Sequence, residues 1–70
     1  MEKQELIDGI KNLEELRIRL EDSIYQVLDA LEYNFVSMNM VLNLNNAIYD
    51  FYEEGMQTVR EICQFHKNEW

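Results

Sequence analysis

The chain has 70 residues, with 14 acidic and 6 basic side chains and a formal net charge of −8 at pH 7. This length excludes a multidomain protein, and this charge excludes a general electrostatic attraction to nucleic acid. Hydrophobic residues make up 47% of the chain, which is too many for a disordered acidic tail. We therefore expect the chain to fold, either alone or together with a partner.

The cysteine content and the first residues of the sequence indicate in which cellular compartment the protein is expected. Cys63 is the single cysteine, so no disulfide forms within the chain, which fits a reducing environment. Residues 1–5 lack the basic and apolar segments of an export signal. The longest stretch without charge, residues 33–49, is rich in Asn and unsuited to a hydrocarbon core. We expect a cytoplasmic protein with no membrane segment.

The first predicted element is a helix over residues 3–32. The sequence has no proline and only two glycines. Because these residues commonly mark turns and the ends of strands, their scarcity favours long helices. Apolar residues recur at alternating steps of four and three, as in the seam of a coiled coil. These positions are Leu6, Ile10, Leu13, Leu20, Ile24, Val27 and Leu31, with Arg17 in the one polar slot.

A turn is predicted over residues 33–37. Asn34 tolerates the left-handed backbone conformation that commonly ends a helix. Ser37 is suited to cap the start of the next helix.

The second predicted helix covers residues 38–68. Its polar residues step by four and three along one face, which indicates an amphipathic helix. The opposite face carries Val41, Ile48, Tyr52, Val59 and Ile62, with Leu44, Phe51 and Cys63 alongside.

Folding the second helix back on the first brings the two apolar patterns together. If the numbers of facing residues add up to 72, Ile24 faces Ile48, and Arg17 faces Gly55, which leaves room for a long side chain. The sequence therefore predicts one all-α domain, an antiparallel two-helix hairpin.

Further apolar residues lie beside this predicted seam, and a single two-helix seam is too small to stabilise 70 residues. We expect a second copy, in a homodimeric four-helix bundle, or another protein to cover them. The predicted contact residues are Tyr25, Phe35, Leu42, Tyr49, Met56 and Trp70.

Two groups of residues have side chains of the types found in metal-binding or catalytic sites. Cys63 and His66 have a spacing that suits two metal ligands on a helix, but four ligands would need a dimer. The pairs Asp29 with Glu32 and Asp50 with Glu53 have the type of carboxylates that hold Mg²⁺ in all-α nucleoside triphosphate pyrophosphatases. In the predicted hairpin these pairs lie far apart, so we predict no catalytic residue, metal ligand or cofactor.

These observations favour a small, acidic, non-enzymatic interaction module that binds a protein partner through its helices. By analogy of size and charge, such a protein is a regulator, inhibitor or adaptor of bacterial or phage type. One alternative is a mimic of nucleic acid that inhibits a DNA-binding protein. A second is a Mg²⁺-dependent enzyme like the all-α nucleotide pyrophosphatases. No direct contact with nucleic acid is expected.

Overall fold

A computed structural model describes the backbone of residues 2–69 and the side chains of residues 2–67. Helix α1 spans Lys3–Glu32 and helix α2 spans Met38–Glu69. The helices run antiparallel and contact each other along their length, which confirms the predicted all-α hairpin. The Cα atoms fill a rod of 54 × 14 × 14 Å. A rod of two helices has one interface, so its core is a single line of residues.

The turn between the helices is held by local hydrogen bonds. Asn34 has a φ of 56°, in the left-handed region. The Phe35 amide donates to the Ala30 carbonyl at 2.7 Å, and the Asn34 amide donates to the Leu31 carbonyl at 3.2 Å. These two bonds form a Schellman motif, which satisfies the carbonyls at the end of α1.

Helix α2 starts with a side-chain cap. The Ser37 Oγ accepts a hydrogen bond from the Met40 amide at 3.3 Å, which satisfies one of the free N–H groups at the start of the helix. The left-handed residue and the serine cap are thus the ones that the sequence predicts.

Small residues occupy much of the interface between the helices. Ala47 is 1% exposed and is the most buried apolar side chain of the described residues. Leu6, Ala30, Ser23 and Thr58 are the other buried residues among side chains 2–67. Larger residues line the seam around them and are half-buried: Leu13, Leu16, Leu20 and Val27 of α1, and Met40, Leu44, Phe51 and Phe65 of α2.

The predicted seam is therefore wrong at every second position of α1. Leu6, Leu13, Leu20 and Val27 are in the seam as predicted. Gly9, Leu16, Ser23 and Ala30 take the alternate positions and displace the residues that follow them, Ile10, Arg17, Ile24 and Leu31, which are all exposed. Because small side chains let two helix axes approach closely, Gly9, Ser23 and Ala30 lie in the interface in place of the larger residues that follow them.

The predicted seam of α2 is wrong in the same way, because the residues predicted to lie between the helices are exposed. Val41, Ile48, Tyr52, Val59 and Ile62 were predicted in the seam and are all exposed. Leu44 and Phe51, which were predicted beside the seam, are in it.

The predicted pairing across the hairpin is also wrong. A Cβ built on Gly55 lies 3.8 Å from Leu13 Cδ1, and one built on Gly9 lies 3.9 Å from Thr58 Oγ1 and from Glu61 Oε2. The numbers of these facing residues add up to between 67 and 70, not to 72. Each residue of α1 therefore faces a residue of α2 that lies two to five positions closer to the turn than the sum of 72 requires.

Candidate functional site

The two sides of the rod differ in chemistry. In an antiparallel pair, the residue that follows a seam position on either helix turns toward the same side of the rod. On this hairpin that side holds large hydrophobic side chains, each 41–61% exposed. We call it the apolar face, and it consists of Ile10, Ile24, Leu31, Val41, Ile48, Tyr52, Val59 and Ile62.

The residues that precede the seam positions form the opposite side, which is polar. Its members are Asn12, Arg19, Gln26, Asn43, Asp50 and Gln57, and we call it the polar face. Arg19 Nη1 donates to Asp50 Oδ2 at 2.7 Å and so connects the two helices on this side. Both side chains are about half exposed, so the pair contributes about 0.2–1 kcal/mol.

A groove of about 570 Å³ opens on the apolar side near the middle of the rod. Leu13 and Leu20 line it from α1, and Ile48, Tyr52 and Val59 are among the residues that line it from α2. Gly55 lies in its wall, and the missing side chain leaves space there. Arg60 is the one charged residue among those that line the groove. The groove has the size and the lining of a binding site for apolar side chains.

One cluster of charge interrupts the apolar side. Arg17 Nη2 lies 2.6 Å from Glu14 Oε1, and Arg17 Nη1 lies 3.0 Å from Glu21 Oε1. The hydrogen bond from Arg17, and then its positive charge, hold the pKa of Glu14 below its usual range. The chain thus carries a compact cluster with a net charge of −1 halfway along α1.

The structure places five of the six predicted contact residues. Tyr25, Phe35, Leu42, Tyr49 and Met56 are all exposed, and Met56 lines the groove. Leu42, Tyr49 and Met56 lie along one edge of the apolar face on α2, at intervals of seven residues. Trp70 lies outside the described residues.

Tyr49 also lies next to carboxylates on its own helix. The charge of Glu53 is the largest cause that raises the pKa of the Tyr49 hydroxyl, followed by its hydrogen bond with Glu53. The hydroxyl therefore stays protonated at neutral pH, and Tyr49 presents an aromatic ring and a neutral polar group at the edge of the apolar face.

Reasoning from sequence missed the apolar face itself, because it placed those residues between the helices. A signal for the correct seam is present in α1. Gly9, Leu16, Ser23 and Ala30 recur at intervals of seven, and three of the four are small. A row of small residues beside a row of large ones marks the side on which two helices approach closely.

The structure describes the positions of the predicted carboxylate pairs and of Cys63 and His66. Among the described residues, no three His, Cys, Asp or Glu side chains come together in a way that would hold an ion. Asp50 instead binds Arg19 on the polar face. In the part of the chain that the structure describes, no helix has the length and apolar content needed to cross a bilayer.

Comparisons of the chain with protein-family models, with curated proteins and with solved structures gave no match.

Proposed function

We propose that this protein is a small acidic interaction module that acts by binding a protein chain on its apolar face, without catalysis. In this proposal it serves as a regulator, inhibitor or adaptor. The observation that carries the proposal is the sorting of side chains around the rod: large apolar residues collect on one side, and polar residues collect on the other.

The amount of exposed apolar surface supports binding. Single exposed hydrophobic residues are ordinary on a protein surface, but a contiguous apolar patch indicates an interaction site. The apolar face has eight large members on two adjacent helices, and a groove lies between them. Water contact at such a surface is unfavourable by about 25 cal/mol per Å² of apolar area, so a partner that covers it gains stability.

The shape of the surface indicates the kind of partner. The face is long, narrow and ridged by two parallel rows of side chains, a form that accommodates helices with apolar residues at three- and four-residue intervals. Met56 lines the groove, and an unbranched methionine side chain can adopt several conformations that fit different partner side chains.

A photo-crosslinking experiment in cells of the native host tests this function. Tyr52 on the apolar face is replaced by benzoylphenylalanine, and Glu15, which is exposed on the polar side, is replaced in a second variant. We expect covalent protein adducts from position 52 and none from position 15. The adducts should disappear with Ile48→Glu and persist with the matched variant Asn46→Glu, because residue 46 lies on the other side of α2.

Two results would contradict the proposal. The absence of adducts from both positions would exclude binding through this face. Adducts from position 15 alone, with a basic DNA-binding protein and lost as salt rises, would favour mimicry of nucleic acid.

A further inference from the structure

We infer that the chain that covers the apolar face is a second copy of this protein, related by a twofold axis that runs along the rod, so that two hairpins form a four-helix bundle with both turns at the same end. This inference rests on the proposed function, because it names the partner of the same face.

The surface area of one chain supports a second copy. The hairpin has an accessible surface of 5743 Å², whereas a compact monomer of this mass has about 4,700 Å². The excess is about 1,000 Å², and a standard protein interface removes about 800 Å² from each partner. One interface of ordinary size would therefore give this chain the surface of a compact protein.

The distribution of the apolar residues supports a symmetric contact. They extend along both helices, from Ile10 and Ile62 near the open end of the rod to Leu31 and Val41 near the turn. The groove lies close to the midpoint of both helices. In a face-to-face pair, the two grooves meet each other, and the rows of apolar residues match toward both ends of the rod, on either side of the charged cluster of α1. An isologous dimer requires a surface of this kind, since the same patch serves both copies.

The charged cluster on α1 decides between the two ways of stacking the hairpins. With the twofold axis across the rod, α1 packs on α1 of the second copy, and Glu14 faces Glu21 of the other chain near the middle of the interface. Like charges in a contact that excludes water are strongly unfavourable. With the axis along the rod, α1 packs on α2 of the second copy, and Arg17 lies at the level of Phe51, because the numbers of residues at one level of the hairpin add up to about 68. That level has the open groove, and the charged residue that lines it, Arg60, is positive, which complements the net charge of the cluster.

Sedimentation equilibrium of the full chain tests the partner. We expect a mass of about 17 kDa, twice the 8.5 kDa of one chain. Ile48→Glu would place an unpaired carboxylate in the interface and should raise the dimer dissociation constant at least about hundredfold. Asn46→Glu adds the same charge two residues away on the polar side and should leave the mass at about 17 kDa.

Distances between spin labels test the orientation without a change in the interface. The label is attached to Tyr33→Cys, an exposed position at the turn, in a Cys63→Ser background. With the axis along the rod, two labels lie roughly 15–30 Å apart, which is the width of a bundle plus the label linkers. A separation close to the 54 Å length of the rod would overturn the proposed arrangement, and so would a dimer that both charge variants leave intact.

A monomeric mass overturns the inferred dimer. The crosslinking result then shows whether the proposed function still holds. If position 52 still forms adducts that Ile48→Glu removes, the face binds a different protein and the proposed function stands. If position 52 forms no adduct, both proposals fail.

Discussion

Ala47 shows how little space the two helices leave between them. Its side chain is 1% exposed, so it lies in the interface between α1 and α2. Leucine adds three carbon atoms beyond Cβ, and these cannot be placed there unless the helices move apart. We expect Ala47→Leu to lower the free energy of unfolding by about 1–3 kcal/mol.

The measurement is urea unfolding followed by circular dichroism at a fixed chain concentration. Asn46→Leu is the control, because it introduces the same side chain at the next position, which is exposed. Equal effects of the two substitutions would mean that the seam does not run through Ala47.

The interaction of Arg17 with Glu14 makes the stability of the folded chain depend on pH. Its hydrogen bond and charge lower the pKa of Glu14 from the usual 4.5. A lowered pKa in the folded state contributes stability that is fully present above pH 4.5 and is lost as the pH falls through the folded-state value. We therefore expect Arg17→Gln to lower the thermal midpoint at pH 7 and to have a smaller effect at pH 3.

Thermal unfolding at both pH values measures this difference. Lys11→Gln removes the same charge from the same helix, at a residue that forms no ion pair with any described residue, and should have a smaller effect at pH 7. A loss of equal size at pH 7 and pH 3 in Arg17→Gln would show that Arg17 acts through its aliphatic carbons and not through Glu14.

At the scale of the elements, the start of α2 depends on one hydroxyl. Ser37 Oγ accepts from the Met40 amide, and loss of such a cap costs about 1 kcal/mol. We expect Ser37→Ala to lower the free energy of unfolding by this amount and Ser37→Asp to restore it, because a carboxylate also accepts from the amide. Urea unfolding of the three chains measures the effect, and an unchanged midpoint in Ser37→Ala would show that the cap contributes no stability.

The elements themselves were predictable from local chemistry. The period of the apolar residues predicts two helices, and Asn34 and Ser37 predict how the chain passes from one to the other. These features depend on neighbours within a few residues, so the sequence contains the whole signal.

The rotation of each helix about its own axis was not predictable in the same way. In α1 both Gly9 and Ile10 fit a seven-residue pattern, and so do Ser23 and Ile24. Hydrophobicity favours the larger residue of each pair, whereas close packing of two helices favours the smaller one. Choosing between them requires the backbone distance, which is a property of the assembled pair and not of either helix. The same error hid the apolar face, because its residues were assigned to the interior.

At the scale of the whole molecule, charge opposes folding. The net charge is −8 on a chain whose described ion pairs are all largely exposed, so mutual repulsion outweighs the attraction within these pairs. We expect 0.5 M NaCl to raise the thermal midpoint at pH 7 by about 5 °C, because salt screens this repulsion.

The same experiment near the isoelectric point provides the control. At a pH close to 4.4 the net charge is near zero, and the increase should be much smaller. A midpoint that falls with NaCl at pH 7 would mean that the ion pairs outweigh the net repulsion.

The short turn has a consequence for the alignment of the whole rod. Residues of similar size recur every seven positions along both helices, so sliding one helix past the other by two turns would again place apolar residues against apolar residues. Packing alone is therefore nearly degenerate among several offsets. Residues 33–37 span too short a distance to permit any of the others. The turn thus fixes the register of the hairpin, and a chain cut within it would lose this restriction and populate several offsets.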